Sequence, residues 1–267
     1  MKHTTSLAVL GEGAWGTTIA SMLADKGYPV YLWCHDPAIA RMLEKTGRNT
    51  TYLPAFTLDM THIIPDTNLA DALKAEYIFV TTPVSYLENI LTQCAPYTTA
   101  DKIWTFLCKG IERENGLLPT QLAQRILNIE ATQIFALSGP SFAHDLMLKQ
   151  PTGAVLAGIQ QHKQLYDVLA CPYFIIEKST DLIGIQVAGA FKNVIALLMG
   201  ILDGAGYYDN TKALAFYKSL AVMQILIEQY GGKKETCWSL AGIGDAVLTA
   251  WGKKSRNFII GKEIGTG

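Results

Sequence analysis

The chain has 267 residues, 49% of them hydrophobic and 17% charged, with 22 Lys and Arg against 23 Asp and Glu. That composition belongs to a well-buried globular protein of one large domain or two modest ones, and it excludes a disordered chain. A net charge of −1 with no run of one sign disfavours nucleic acid or an anionic membrane as the main partner, and the longest apolar run, Val194 to Leu202, is too short to span a bilayer.

Met1 to Ser6 lead straight into a short apolar run, without the h-region and cleavage site of a secretory signal, which predicts a cytoplasmic protein. Short β-rich runs follow at Ser6–Leu10, Val30–Cys34, Tyr77–Thr81, Lys102–Leu107, Gln133–Leu137, Ala154–Ala157 and Tyr173–Ile176. Between most of them lie segments with apolar residues at helical spacing, such as Ile19, Met22 and Leu23, or Leu117, Leu118, Leu122 and Ile126. This alternation predicts an α/β fold with a doubly wound, mainly parallel sheet over residues 1–178. After Lys178 the pattern changes. Ser179-Thr180-Asp181 offers an N-cap, and helices are expected from Leu182 toward Met199 and from Lys212 to Tyr230, separated by a turn from Asp203 to Asn210. Residues 179–267 are therefore read as an all-helical second domain.

Cys34, Cys94, Cys108, Cys171 and Cys237 are odd in number with no C-x-x-C pair, which predicts reduced core residues rather than disulfides or a zinc site. None of His3, His35, His62, His144 and His162 sits in an apolar frame or pairs at metal-ligand spacing, so no metal is expected.

Gly11-Glu12-Gly13-Ala14-Trp15-Gly16 stands between the first strand and the first helix, the context of a dinucleotide fingerprint. The first glycine permits the tight turn, the second lets the backbone approach a pyrophosphate, and the third allows close helix packing. The second strand lacks the acid that usually holds the ribose 2′-hydroxyl: Cys34 and His35 stand there and Asp36 comes late. His35, Arg41 or Arg48 would then be available to a 2′-phosphate, which leaves NAD and NADP both open.

Two lysines stand out. Lys192 is preceded and followed on its helical face by Ala188, Gly189, Ile195 and Ala196. It reads either as a snorkelling side chain or as a general acid–base of depressed pKa. Lys109 follows a strand at the carboxyl edge of the sheet, where open α/β folds bind ligands, although such loop lysines are commonly just solvated. Gly242-Ile243-Gly244-Asp245 with Ser255-Arg256-Asn257 reads as ordinary capping, or as an Arg-Asn clamp for a phosphate monoester.

Taken in order, Gly11 to Thr17, Asn49-Thr50-Thr51-Tyr52-Leu53-Pro54, Ser138-Gly139-Pro140-Ser141-Phe142-Ala143, Gly189 to Ala196, Asp203-Gly204 with Asp209 to Lys212, and Gly244-Asp245 to Thr249 with Ser255-Arg256-Asn257 resemble the motifs of the soluble NAD(P)-dependent glycerol-3-phosphate dehydrogenases. The resemblance spans nearly the whole chain. It implies a Rossmann-like domain plus a helical domain, NAD or NADP as cofactor, and reversible hydride transfer between sn-glycerol 3-phosphate and dihydroxyacetone phosphate. It also implies a homodimer and a role in glycerophospholipid synthesis. By the same resemblance Lys192 transfers the proton, Lys109 polarises the substrate oxygen and Asp245 keeps Lys192 oriented. Asn193, Thr249, Arg256, Asn257, Lys109, Gly139 and Ser141 would meet the substrate. Gly11, Gly13, Ala14, Trp15, Gly16, His35, Lys109, Ala143 and Arg256 would meet the cofactor.

The chain departs from the family pattern at Phe191, Leu198, Tyr208, Tyr217-Lys218-Ser219 and Asp145. It is also shorter by roughly a helical subdomain, and exposed apolar surface on the helical domain is the expected consequence. Two competing readings are a β-hydroxyacid dehydrogenase, whose Asn falls a turn after its Lys rather than adjacent to it, and a nucleotide-binding protein without catalysis.

Overall fold

The structure is a computed structural model and describes residues 5–252 and 255–267. The chain alternates β1 (Leu7–Leu10), α1 (Ala14–Asp25), β2 (Val30–Trp33), α2 (Pro37–Thr46), β3 (Ile63–Asp66), α3 (Leu69–Ala72), β4 (Tyr77–Val80), α4 (Val84–Cys94), β5 (Ile103–Phe106), α5 (Pro119–Leu127), β6 (Ile134–Ser138), α6 (Ala143–Met147), β7 (Thr152–Gly158), α7 (Lys163–Leu169) and β8 (Phe174–Ser179). The helical part follows with α8 (Leu182–Gly204), α9 (Asp209–Gln229), α10 (Asp245–Trp251) and α11 (Arg256–Thr266).

The strands form one sheet in the order β3-β2-β1-β4-β5-β6-β7-β8. All neighbours are parallel except β6 and β7, so β7 and β8 run against the first six strands. Because strand side chains alternate, β1 divides its residues between two layers. Leu7 and Val9 pack with Ile19 and Leu23 of α1, while Ala8 and Leu10 pack with Leu87 and Leu91 of α4. β1 lies between β2 and β4, and the direction of strand progression reverses there, which opens a crevice at the carboxyl ends of β1 and β4.

Several expectations need correction. β3 was not anticipated: it is a four-residue edge strand with Pro65 inside it, tolerated because an edge strand leaves one row of backbone groups unpaired. α5 starts at Pro119, so Leu117 and Leu118 precede it, and the Leu118 N–H is capped by Gln121 Oε1 at 2.9 Å. α8 continues past Met199 to Gly204, and α9 starts at Asp209, which shortens the expected turn. Cys108 and Cys171 are only partly buried, whereas Cys34, Cys94 and Cys237 lie in the core. His162 does have an aromatic frame: its ring meets Tyr77 and Phe135 edge-on at 5.8 and 5.7 Å, and its Nδ1 accepts the Leu165 N–H as the cap of α7.

α8 is the spine of the helical part. Asp181 caps it by accepting the Gly184 N–H at 2.9 Å, and the other carboxylate oxygen accepts the Lys233 N–H and the Thr236 hydroxyl at 2.8 and 2.5 Å. Gln186 Nε2 donates to Thr120 Oγ1 of α5 at 2.8 Å, tying the spine to the sheet domain. At the far end, α8 and α11 meet through glycines. A Cβ on Gly200, Gly204, Gly261 or Gly265 would lie 2.1–2.2 Å from a carbonyl oxygen of the opposite helix, so the two backbones approach as closely as side chains of any other kind would forbid. By length and composition α8 is apolar enough to cross a membrane, yet 56% of that apolar stretch is buried inside the protein, as in a core helix.

On the opposite side of α8, an apolar groove of about 330 Å³ runs along α9, lined by Phe191, Val194, Leu198, Ala215 and Val222 among others. Of the positions that depart from the family pattern, Phe191 and Leu198 line this groove, and Tyr208 and Tyr217 stand exposed on α9 and its entry.

Candidate active site

The glycine loop folds as its residues require. Gly11 has φ of +119°, and a Cβ there would sit 2.9 Å from Thr81 Oγ1. A Cβ on Gly16 would sit 1.9 Å from the Gly11 carbonyl oxygen, whereas one on Gly13 would meet nothing within 4 Å. Two residues therefore serve the turn and the packing, and the middle one leaves open space. Thr81 Oγ1 donates to Leu10 O at 2.9 Å from β4's end. Asn49, fully buried, donates through Nδ2 to Glu12 O at 2.7 Å and to Thr17 Oγ1 at 2.9 Å, so the Asn49-Pro54 segment clamps the loop. No side chain caps the N-terminus of α1, and its first turn holds no acid. Free N–H groups beside an open glycine fit a dinucleotide pyrophosphate. Ala14 and Trp15 form that first turn, and Ala143 opens α6, which packs on α1.

Beyond β2 the structure holds an arrangement that sequence reasoning missed. The buried Glu12 carboxylate accepts the His35 N–H at 3.0 Å and the Asp36 N–H at 3.1 Å. Asp36 caps α2 through the Ala38 N–H at 2.7 Å. The Arg48 guanidinium donates to Pro54 O at 2.8 Å, and His35 and Arg41 are exposed.

The second half of the site lies where α8 and α10 cross the edge of β5 and β6. Lys192 Nζ donates to Asp245 Oδ1 at 2.7 Å and to Thr249 Oγ1 at 2.9 Å. Lys109 Nζ donates to the other oxygen of Asp245 and to Gly139 O at 3.2 Å. One buried carboxylate thus holds two ammonium groups. The capping expected of Asp245 is not what it does: it is the first residue of α10, it is fully buried, and both oxygens are committed to lysines. Burial, and then the neighbouring Lys109 charge, pull Lys192 down to about 8 against the opposing pull of Asp245. Lys192 does not snorkel, because its head group is buried along with its stem.

Small residues make the room. A Cβ on Gly189 would lie 2.8 Å from Ser138 Oγ and 3.6 Å from Lys109 Cγ. Ser138 Oγ is itself buried without a hydrogen-bond partner, an orphan polar atom beside Gly189, in a motif that bears the family resemblance but carried no expected site role at that residue. Ser141 Oγ donates to Gly139 O at 3.1 Å. Next to Lys192 in the chain, Asn193 Oδ1 accepts from Asn257 Nδ2 at 2.9 Å, which brings α11 to the site. Lys109, Gly139, Ser141, Lys192, Asp245 and Thr249 are therefore linked in one group, with Asn193 and Asn257 beside it. Arg256 and His35 are exposed, and among the described residues no hydrogen bond or ion pair ties either of them to the lysine pair.

Known proteins resemble this chain in sequence and in fold. The profile of the NAD-dependent glycerol-3-phosphate dehydrogenase N-terminus matches residues 6–164, and that of the C-terminus matches residues 181–267. The chain is 36% identical over 264 residues to glycerol-3-phosphate dehydrogenase [NAD(P)+] of Chlorobium phaeobacteroides, which covers 98% of this chain and 79% of that protein. Among solved structures, it superposes on glycerol-3-phosphate dehydrogenase of Coxiella burnetii with a TM-score of 0.93 at 30% identity, covering all of this chain and 81% of that one. It superposes on the Saccharomyces cerevisiae glycerol-3-phosphate dehydrogenase with a TM-score of 0.87 at 25% identity, covering 99% and 82%. The chain belongs to the NAD(P)-dependent glycerol-3-phosphate dehydrogenase family and is an oxidoreductase with a Rossmann-type dinucleotide-binding domain.

Proposed function

We propose that the enzyme interconverts dihydroxyacetone phosphate and sn-glycerol 3-phosphate, working toward glycerol 3-phosphate for glycerophospholipid synthesis in the cytoplasm. The observation that carries this reading is the Lys192–Asp245–Lys109 cluster, which joins α8 and α10 to the loop that follows β5. A nicotinamide cofactor held at the glycine loop would supply the hydride for the carbonyl carbon. Lys192 in its ammonium form gives a proton to the carbonyl oxygen, which leaves a neutral amine to be recharged from water; in the reverse direction the amine takes the hydroxyl proton. A Lys192 that titrates at about 8 has both forms accessible near neutral pH. Lys109 polarises the same oxygen, and Asp245 holds both ammonium groups toward it.

In this reading Asn193, Thr249, Asn257, Gly139 and Ser141 line the substrate, and Arg256 closes on its phosphate and on the cofactor. Gly11, Gly13, Ala14, Trp15, Gly16, His35 and Ala143 bind the cofactor, together with Lys109. Phosphate binding remote from the reacting carbon positions that carbon for transfer. The division at residue 178 separates the cofactor half from the substrate half. We further assign a homodimer, supported by the exposed apolar side chains of Val194, Tyr217, Val222 and Ile225 on α8 and α9.

The test follows the loss of NADH and of NADPH absorbance with dihydroxyacetone phosphate, with Lys192→Ala alongside. Turnover that vanishes in the variant supports the proposal. Saturable cofactor binding without turnover in the wild type overturns it in favour of a nucleotide-binding role.

A further inference from the structure

We infer that Glu12, inside the glycine loop, is the cofactor-selecting residue of this enzyme and makes it prefer NAD(H) to NADP(H). The inference rests on the dinucleotide-binding reading of that loop and adds to it the choice between the two cofactors.

In a Rossmann domain the adenosine ribose lies beside the carboxyl end of the second strand, where an acid accepts the 2′-hydroxyl of NAD or a cation and backbone donors meet the 2′-phosphate of NADP. By sequence this chain lacks an acid at the end of β2. In the structure an acid reaches the same place from elsewhere. Glu12 stands between Gly11 and Gly13, and its carboxylate lies across the chain leaving β2, on the N–H groups of His35 and Asp36 at 3.0 and 3.1 Å. These are the donors that a 2′-phosphate would need. Glu12 both occupies them and places a negative charge there, so an incoming phosphate would lose its donors and meet a like charge.

The surroundings reinforce this. Asp36, exposed at the N-cap of α2, and Asp66 at the end of β3 add negative charge. Their effect is felt by Cys34, whose thiol is pushed up to about 12 by burial first and then by Glu12, Asp66 and Asp36. Of the cations that could answer a 2′-phosphate, Arg48 is turned to the Pro54 carbonyl. Glu12 is also fixed in place. Its carbonyl accepts both Asn49 Nδ2 at 2.7 Å and Thr17 Oγ1 at 2.9 Å, so its backbone does not swing aside without breaking the clamp on the loop. A ribose 2′-hydroxyl, by contrast, donates to such a carboxylate and needs none of those N–H groups.

The experiment measures the affinity of purified protein for NADH and NADPH by calorimetry, with no substrate, so that binding is read apart from turnover. The wild type is expected to bind NADH about tenfold or more tightly than NADPH, and Glu12→Ala to reduce or invert that ratio by about tenfold, chiefly by strengthening NADPH. Glu12→Gln keeps the shape but removes the charge and can accept only one of the two N–H groups, and is expected to fall between the two, which preserves the test if the alanine variant folds poorly. Equal or tighter NADPH binding by the wild type, or a ratio that neither substitution moves, overturns the inference. Wild-type protein that binds neither dinucleotide overturns the cofactor site itself, a different failure from loss of selectivity alone.

Discussion

Lys192 and Asp245 meet at 2.7 Å across a separation of 53 residues, in a place where almost no solvent reaches either group. The carboxylate is shared with Lys109, so the cluster holds two positive charges and one negative. Asp245→Asn removes the charge and leaves both ammonium groups uncompensated. Breaking a buried pair in this way costs about 3–5 kcal/mol, measurable as a drop in the urea midpoint. Because Asp245 is one of the groups holding the Lys192 proton on, the titration of Lys192 should also move below its present value of about 8, readable in the pH–rate profile.

The pH dependence has a definite sign. In the proposed mechanism carbonyl reduction needs the Lys192 ammonium, so kcat for reduction should be level below about 8 and fall above it, while alcohol oxidation should rise through the same midpoint. Stability moves with oxidation rather than with reduction. The folded pKa lies below the ordinary lysine value of 10.5, so the cost of burying the charge is full below about 8 and is relieved as pH rises toward 10.5. Lys192→Met should flatten that rise in a denaturation series.

Asp181 joins two segments: its own helix through the Gly184 N–H, and the stretch after α9 through the Lys233 N–H and the Thr236 hydroxyl. Asp181→Ala leaves the Gly184 N–H, the Lys233 N–H and the Thr236 hydroxyl without this acceptor, and a loss of about 3 kcal/mol is expected. Asp181→Asn should recover part of it. Thermal unfolding of the two variants side by side checks both statements.

Gly261 faces the Leu197 carbonyl with no room for a side chain. Gly261→Val should push α11 off α8 at a cost of about 2 kcal/mol or more. Substrate KM should rise with it, because Asn257 then loses Asn193. Protease cleavage near α11 in the variant but not in the wild type would report the same release, and an unchanged KM would separate Asn257 from substrate binding.

Much of this was legible in the residues, for reasons that can be named. The glycine loop was readable because its three glycines serve local geometry, and Lys192 because a cation among Ala188, Gly189, Ile195 and Ala196 breaks its helix's own pattern. Asp245 was half legible: its residue type and its glycine turn suited capping while the family resemblance implied contact with Lys192, and the arrival of Lys109 on its other oxygen was in neither reading. β3 was hidden by Pro65 and by its length, the marks of an edge strand. Glu12 was hidden because the search for an acid followed β2, whereas the backbone groups at the end of β2 took theirs from the loop beside it. The close approach of α8 and α11 was hidden for a similar reason, since Gly200, Gly204, Gly261 and Gly265 gain meaning only when set against each other.

The bond between Asn193 and Asn257 also orders events during synthesis. The sheet strands pair mostly with near neighbours in the chain, so the cofactor crevice can assemble while the helical part is still emerging from the ribosome. The substrate half cannot: Lys192 waits for Asp245, and Asn193 waits 64 residues for Asn257. A nascent chain should therefore acquire the capacity to hold a dinucleotide well before it acquires the capacity to reduce anything with it.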